Sequence, residues 1–294
     1  MPQRACAAIL ACTRRPRGRQ GCRSQAECTD RAGPGGGRVS GQPDFRPAEP
    51  PTGDARAPAR PLLVFLHEGL GSLSMWRDFP DRLCARVGCA GLVYSRPGYG
   101  RSTPKAPDER WRPDFMHRQA REVLPALLDA LGVAAPYALF GHSDGGSIAL
   151  LHAAAFPEQV AALVVAAPHL FVEALSLASI AEARTAWDTT DLRRKLARHH
   201  DDPDSAFRGW NDIWLDPAFR DWNIEAEVAT VRCPVLAVQG VEDPYGTMAQ
   251  IDRIADLCPG RTELLKLPQC GHSPHRDQSE ALIARAVDFL HRIA

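Results

Sequence analysis

Residues 137–154 read YALFGHSDGGSIALLHAA, a polar knot (Gly141-His142-Ser143-Asp144-Gly145-Gly146) set between an apolar run of strand length and a small-residue run with helical spacing. A strand that passes straight into a helix at a serine requires a very sharp turn. The serine takes a strained backbone conformation, and its near neighbours must be small or they collide with the flanking strand and helix. Glycines at 141 and 145 meet that requirement. The strand–turn–helix order leaves the Ser143 side chain exposed at the carboxyl edge of a sheet, with the N-terminus of the next helix turned toward any negative charge that develops there.

Outward from this turn the chain alternates. LLVFLH (62–67), AGLVYS (90–95), YALFGH (137–142), AALVVAAP (161–168), PVLAVQG (234–240) and TELLKL (262–267) read as strands. Their near-continuous apolarity predicts burial on both faces, as in a parallel sheet covered by helices. Residues 75–88, 115–132, 145–156, 247–258 and 279–294 read as helices; Val123, Leu127 and Leu131 fall at i, i+4, i+8, with Leu124 and Leu128 beside them, in one apolar stripe. The fold class expected is α/β, a mostly parallel, doubly wound sheet with right-handed crossovers.

The alternation breaks once, between about 170 and 228, where only helical pieces occur. A structureless loop of that length is uncommon, so a helical lid over residues 170–228 is expected, inserted into a core of residues 61–169 and 229–294. Trp187, Trp210, Trp214 and Trp222 fall inside it. Phe207, Trp210 and Trp214 are spaced i, i+3, i+7 and share a helical face. That face serves either as an apolar roof that binds substrate or as packing of lid on core.

Residues 1–60 are a different kind of sequence, rich in Arg, Gly, Pro and Ala and without period, as in RRPRGRQGCRS (14–24) and RAGPGGGRVSG (31–41). They are expected to hold little stable structure, as a disordered or mis-assigned extension; ACAAILAC (5–12) is too short for a convincing targeting signal.

Lys+Arg and Asp+Glu both number 35 in the 294 residues, which provides no basic field for nucleic acid or an acidic membrane. The partner expected is a small, fairly apolar molecule. Nine cysteines without a C-x-x-C pair point away from a metal site and toward reduced thiols in the cytoplasm. No phosphate loop or dinucleotide fingerprint is present, so no cofactor is implied.

A serine hydroxyl needs a histidine held by a carboxylate to become a nucleophile near neutral pH, and behind a G-x-S-x-G turn the expected chain order is serine, acid, histidine. Asp243, in VQGVEDPYG (238–246), follows an apolar strand directly and is favoured over the adjacent Glu242. His272, in LPQCGHSPH (267–275), follows the last strand and is favoured over His275. His117, His199 and His200 lie on polar helical stretches and read as solvated. An oxyanion hole would use the backbone N–H of Asp144 and one from FLHEGLGS (65–72), at Gly69 or Leu70.

Together LHEGLGS, YSRPGYGRS, GHSDGG, GVEDPYG and CGHSPH make residues 61–294 resemble the α/β-hydrolase superfamily, specifically its lid-bearing small-molecule serine hydrolases and acyltransferases. The resemblance implies a Ser143–Asp243–His272 triad, oxyanion amides from Gly69 and Asp144, and a structural turn at SRPGYGRS. It also implies cleavage of a carboxylic ester, thioester or lactone through an acyl-enzyme. The alternatives are acyl transfer or carbon–carbon bond hydrolysis with the same triad, or a non-catalytic ligand-binding homologue. Relatives with haloalkane dehalogenase or epoxide hydrolase chemistry carry aspartate where this chain has Ser143. Three departures stand out: Glu68 where the family has glycine after the first histidine, Ser95 where it has aspartate, and no recognisable antiparallel strands at the start.

Overall fold

The computed structural model describes residues 44–48, 60–106 and 108–293. Seven strands form one sheet in the order β1-β3-β2-β4-β5-β6-β7. They are β1 (Phe45–Ala48), β2 (Leu63–Leu66), β3 (Gly91–Tyr94), β4 (Tyr137–His142), β5 (Val160–Ala166), β6 (Val235–Gly240) and β7 (Thr262–Leu267). All neighbours pair parallel except β1, which runs antiparallel to β3.

The apolar runs behave as two-sided core strands. Val64 and Leu139 enter one buried cluster, while their chain neighbours Phe65 and Phe140 enter the cluster on the other face. Successive side chains on a strand point to opposite faces, so a run without polar interruption needs helices on both sides. The helices α1 (Phe79–Val87) and α10 (Ser279–His291) cover one face. The other is covered by α2 (Phe115–Arg118), α3 (Leu124–Ala130), α4 (Asp144–Ala155) and α9 (Ala249–Leu257).

The helix expected over 115–132 is interrupted by a π turn at Gln119–Val123, where the Leu124 amide reaches back to the Gln119 carbonyl. Pro125 explains the interruption. It has no N–H for the carbonyl four residues earlier and its ring crowds that carbonyl, so the turn widens.

The segment between β5 and β6 folds as α5 (Ala174–Thr189), α6 (Leu192–Leu196), α7 (Pro203–Trp214), a 3-10 turn (Pro217–Phe219) and α8 (Glu225–Val228). Asp202 caps α7, its carboxylate accepting from the Ser205 amide at 2.8 Å. Within this segment the described strand pairing is a single bridge, Phe171 to Asn223, beside a bond from the Ile224 amide to the Leu170 carbonyl at 2.8 Å.

The N-terminal expectation requires a correction. Residues 45–48, which the sequence suggests belong to an unstructured extension, form β1 on the edge of the sheet. A four-residue FRPA strand has no readable period, and proline is admissible there because the strand lies at an edge. Asp44 anchors it. Its carboxylate accepts from the Ser95 hydroxyl at 2.8 Å and the Arg101 amide at 3.2 Å, and its amide donates to Ser102 Oγ at 3.0 Å. A carboxylate thus stands beside position 95, from Asp44 immediately before β1. The candidate targeting segment, the remainder of residues 1–43 and the cysteines at 6, 12, 22 and 28 lie outside the described residues. Cys84, Cys89, Cys233, Cys258 and Cys270 are free and buried. Among the described residues, no helix is long and apolar enough to cross a membrane.

Candidate active site

At the end of β4 the chain turns through Ser143, whose φ of 53° and ψ of −123° lie in a region L-residues rarely adopt. Such a conformation costs on the order of 1–3 kcal/mol and persists where the surroundings enforce it. They do so here by proximity. A Cβ on Gly145 would lie 2.1 Å from the Leu66 carbonyl oxygen, and one on Gly141 would lie 2.3 Å from the Gly145 carbonyl oxygen. Both strand-to-helix neighbours must therefore be glycine for β4 and α4 to meet at this angle.

Three side chains far apart in sequence converge on the turn. His272 Nε2 lies 2.9 Å from Ser143 Oγ, and its Nδ1 lies 2.9 Å from both carboxylate oxygens of Asp243. Asp243 is buried, and it also accepts from Gln239 Nε2 at 2.7 Å and from the Tyr245 amide at 2.8 Å. Burial alone would raise its pKa. The bond and charge of His272 and the Tyr245 amide outweigh burial and hold the carboxyl below the usual range. An ionised Asp243 fixes the tautomer with the proton on Nδ1, which leaves Nε2 free to accept from Ser143.

The rival residues are placed elsewhere. Glu242 is exposed to solvent. His275 is buried against Trp76 and His142, with ring centroids 4.9 and 4.7 Å away. Burial, and then the His142 charge, push its pKa down to about 3.

The loop after β2 approaches Ser143 from the other side. The Glu68 carbonyl accepts from His67 Nδ1 at 2.7 Å, Arg96 Nη2 at 2.8 Å and the Gly71 amide at 3.0 Å, which fixes the turn. In the described hydrogen bonds the amides of Gly69, Leu70 and Asp144 donate to no protein atom. The Glu68 side chain lies 3.4 Å from His142 Nδ1, and His142 Nε2 donates to the His272 carbonyl at 2.6 Å. Burial opposes charge on both partners. The bond between them prevails, lowering the pKa of Glu68 and raising that of His142. The carboxylate where the family has glycine thus ties this loop, through His142, to the loop that carries His272.

A cavity of about 110 Å³ opens above Ser143. Its walls include Glu68, Gly69, Leu70, Asp144, Trp210, Trp214 and His272, as well as Ile180, His169 and Tyr245, which the sequence did not single out. Tyr245 stands beside His272, with ring centroids 4.7 Å apart, and its nearness to Asp243 in sequence was the available signal. Phe207 departs from expectation. It shares the helical face of Trp210 and Trp214 but stacks on Trp187 at 4.1 Å and does not reach the cavity. Two turns of helix separate it from Trp214, and only the C-terminal end of α7 overhangs Ser143.

His200 also departs. Expected in solvent, it is buried, accepting from the Gly100 amide through Nδ1 and donating to the Leu70 carbonyl through Nε2, both at 3.0 Å. The polar stretch around it gave no sign of this, because the burying surface comes from residues a hundred positions away. His199 bonds Ser74 Oγ at 2.8 Å and His117 bonds Glu227 at 3.2 Å.

Residues 61–209, about half the chain, match the family model described as the alpha/beta hydrolase fold. The chain is 28% identical to serine hydrolase BPHL of Homo sapiens over 205 residues, 66% of each protein, so it spans slightly under two thirds of that relative's length. Among solved structures it is similar to a proline iminopeptidase from Mycobacterium smegmatis (TM-score 0.67, 19% identity, 85% of this chain and 94% of that one). It is also similar to a thermophilic esterase from Thermogutta terrifontis (TM-score 0.63, 17% identity, 85% and 93%). At these identities the two structures speak to the fold.

Proposed function

The chain belongs to the α/β-hydrolase family, and from that premise we propose that it is a serine hydrolase cleaving a small-molecule carboxylic ester, thioester or lactone. The observation that carries the proposal is the unbroken line of hydrogen bonds from Asp243 through His272 to Ser143 beneath a cavity.

In this reading His272 Nε2 takes the Ser143 proton as Oγ attacks the carbonyl carbon. The oxyanion is met by the amides of Asp144 and of Gly69 or Leu70, in a water-poor site where such donors act strongly. Collapse of the tetrahedral intermediate expels the alcohol or thiol, which takes the proton from His272, and leaves an acyl group on Ser143. A water, deprotonated by His272, then attacks the acyl carbonyl, and the acid leaves as Ser143 recovers its proton. The segment 170–228 acts as a lid, with Trp210 and Trp214 over the acyl group. Two acids, Glu68 and Asp144, line the cavity and no Lys or Arg does among the described residues, which favours an uncharged acyl chain.

A panel of p-nitrophenyl esters, thioesters and lactones, assayed with the parent protein and with Ser143→Ala, tests the reading. Turnover should fall by about 10⁴- to 10⁶-fold with the melting temperature little changed. Equal turnover in the two proteins would end it.

A further inference from the structure

We propose that the inserted helices build the oxyanion hole as well as roof the cavity, with His200 and Trp214 as positioning residues for the two main-chain segments that carry its donors. The inference rests on the serine-hydrolase reading of the site.

Both donor segments are held from the insertion. On one side, His200 lies between α6 and α7 and uses both ring nitrogens at once. Nε2 donates to the carbonyl of Leu70 and Nδ1 accepts from the amide of Gly100, each at 3.0 Å. The pair of bonds demands one neutral tautomer and joins three segments: the loop after β2, the turn after β3 and the insertion. A further main-chain bond, Asp201 amide to Gly100 carbonyl at 2.9 Å, secures the same junction. Four residues before Trp214, Trp210 presses on the neighbouring residue of the same loop. A Cβ on Gly69 would lie 2.2 Å from the indole, so only glycine fits beneath it.

On the other side, Trp214 Nε1 donates to Asp144 Oδ1 at 3.2 Å. That is the described bond to this buried carboxyl, whose Oδ2 has no partner among the described residues. Asp144 is also the residue whose own amide serves as the first donor in the proposed reading of the site. The insertion therefore grips Leu70 by its carbonyl, Gly69 by contact and Asp144 by its side chain, all within the walls of one cavity.

A roof and a scaffold fail differently. Loss of a roof weakens binding of particular acyl chains. Loss of a scaffold weakens stabilisation of the tetrahedral state whatever the acyl chain.

The experiment compares the full chain with His200→Phe, His200→Gln and Trp214→Phe, with His199→Ala as a neighbouring control. The readouts are kcat and KM for p-nitrophenyl acetate and butyrate, and inhibition by an alkyl boronic acid, which forms a tetrahedral adduct with serine. We expect His200→Phe and Trp214→Phe to lower kcat about 10- to 100-fold on both esters, with boronate affinity falling in step and, for His200, which does not line the cavity, KM within about twofold. His200→Gln, which keeps a donor for Leu70, should recover part of the loss, and His199→Ala should match the parent. Should His200→Phe not fold, His200→Gln and Trp214→Phe decide. Unchanged kcat in these variants, or a loss confined to one ester through KM, overturns the scaffold while leaving the serine hydrolase standing. Parent turnover that survives Ser143→Ala, or no turnover at all, overturns both.

Discussion

The turn at Ser143 and the helices between β5 and β6 meet at one cavity, yet they are specified in opposite ways. At the turn, backbone is packed on backbone. The Leu66 carbonyl lies against Gly145, and the Gly145 carbonyl against Gly141, so closely that residue identity is dictated by the space left over. In the insertion, side chains are packed on side chains, as where Trp187 stacks on Phe207, and many combinations would fill the same volume. Backbone sterics leave a mark in sequence at fixed spacing, whereas side-chain packing leaves only a periodicity that says which residues share a face.

The largest effect expected on this comparison comes from Phe207→Ala. If Phe207 is interior packing, truncation costs about 3–5 kcal/mol in chemical denaturation, while KM for a short ester changes less than in Trp210→Ala. A KM rise equal to that of Trp210→Ala would restore Phe207 to the substrate's wall. Next is Gly145→Ala, where the new methyl meets main chain that has no rotamer to move. Stability should drop by about 1–3 kcal/mol, and turnover should fall with it because Ser143 is displaced. A fully active, equally stable variant would mean that the turn tolerates what its geometry forbids.

A pH-dependent effect concerns the buried histidines His169 and His275. Burial, joined by nearby imidazoles, holds His169 and His275 near a pKa of about 3, against an ordinary 6.5. Between those values the unfolded chain binds protons that the folded chain does not. The stability contributed by the neutral rings is therefore complete above about 6.5 and is lost as pH falls toward 3. Each ring contributes a slope of up to about 1.4 kcal/mol per pH unit. Denaturation curves between pH 7 and 4 should be flatter for His275→Phe than for the parent, and parallel curves would contradict the assignment. Smallest is Asp44→Ala, which removes the acceptor for the Ser95 hydroxyl and the Arg101 amide. A loss of about 1 kcal/mol is expected, and no loss would return β1 to the status of a loose extension.

These cases show why part of the molecule was legible and part was not. The six core strands, the helices beside them and the order Ser143, Asp243, His272 could be read because each depends on local spacing: continuous apolarity, helical period, or a loop directly after a strand. Pro125 splits a helix whose period is intact, and FRPA joins a sheet edge although it has no period at all. His200 reads as solvent-facing because its own neighbours are polar, while what buries it, Leu70 and Gly100, lies at least a hundred residues away. Glu68 stands out in sequence as a departure, but its bond to His142, and through that ring to the His272 carbonyl, exists only once three loops are folded onto one edge. Ser95 and Asp44 make the same point: a carboxylate set beside a serine from another segment leaves no trace in either alone.

The central claim is that Ser143 is a nucleophile activated by His272 and Asp243. Its most direct test is to treat the purified full chain with a fluorophosphonate probe and locate the adduct by intact mass and peptide mapping. One adduct per chain on Ser143, strongly slowed in His272→Ala, is the predicted result. No adduct on the folded protein, or labelling of a different serine at the same rate, would contradict it.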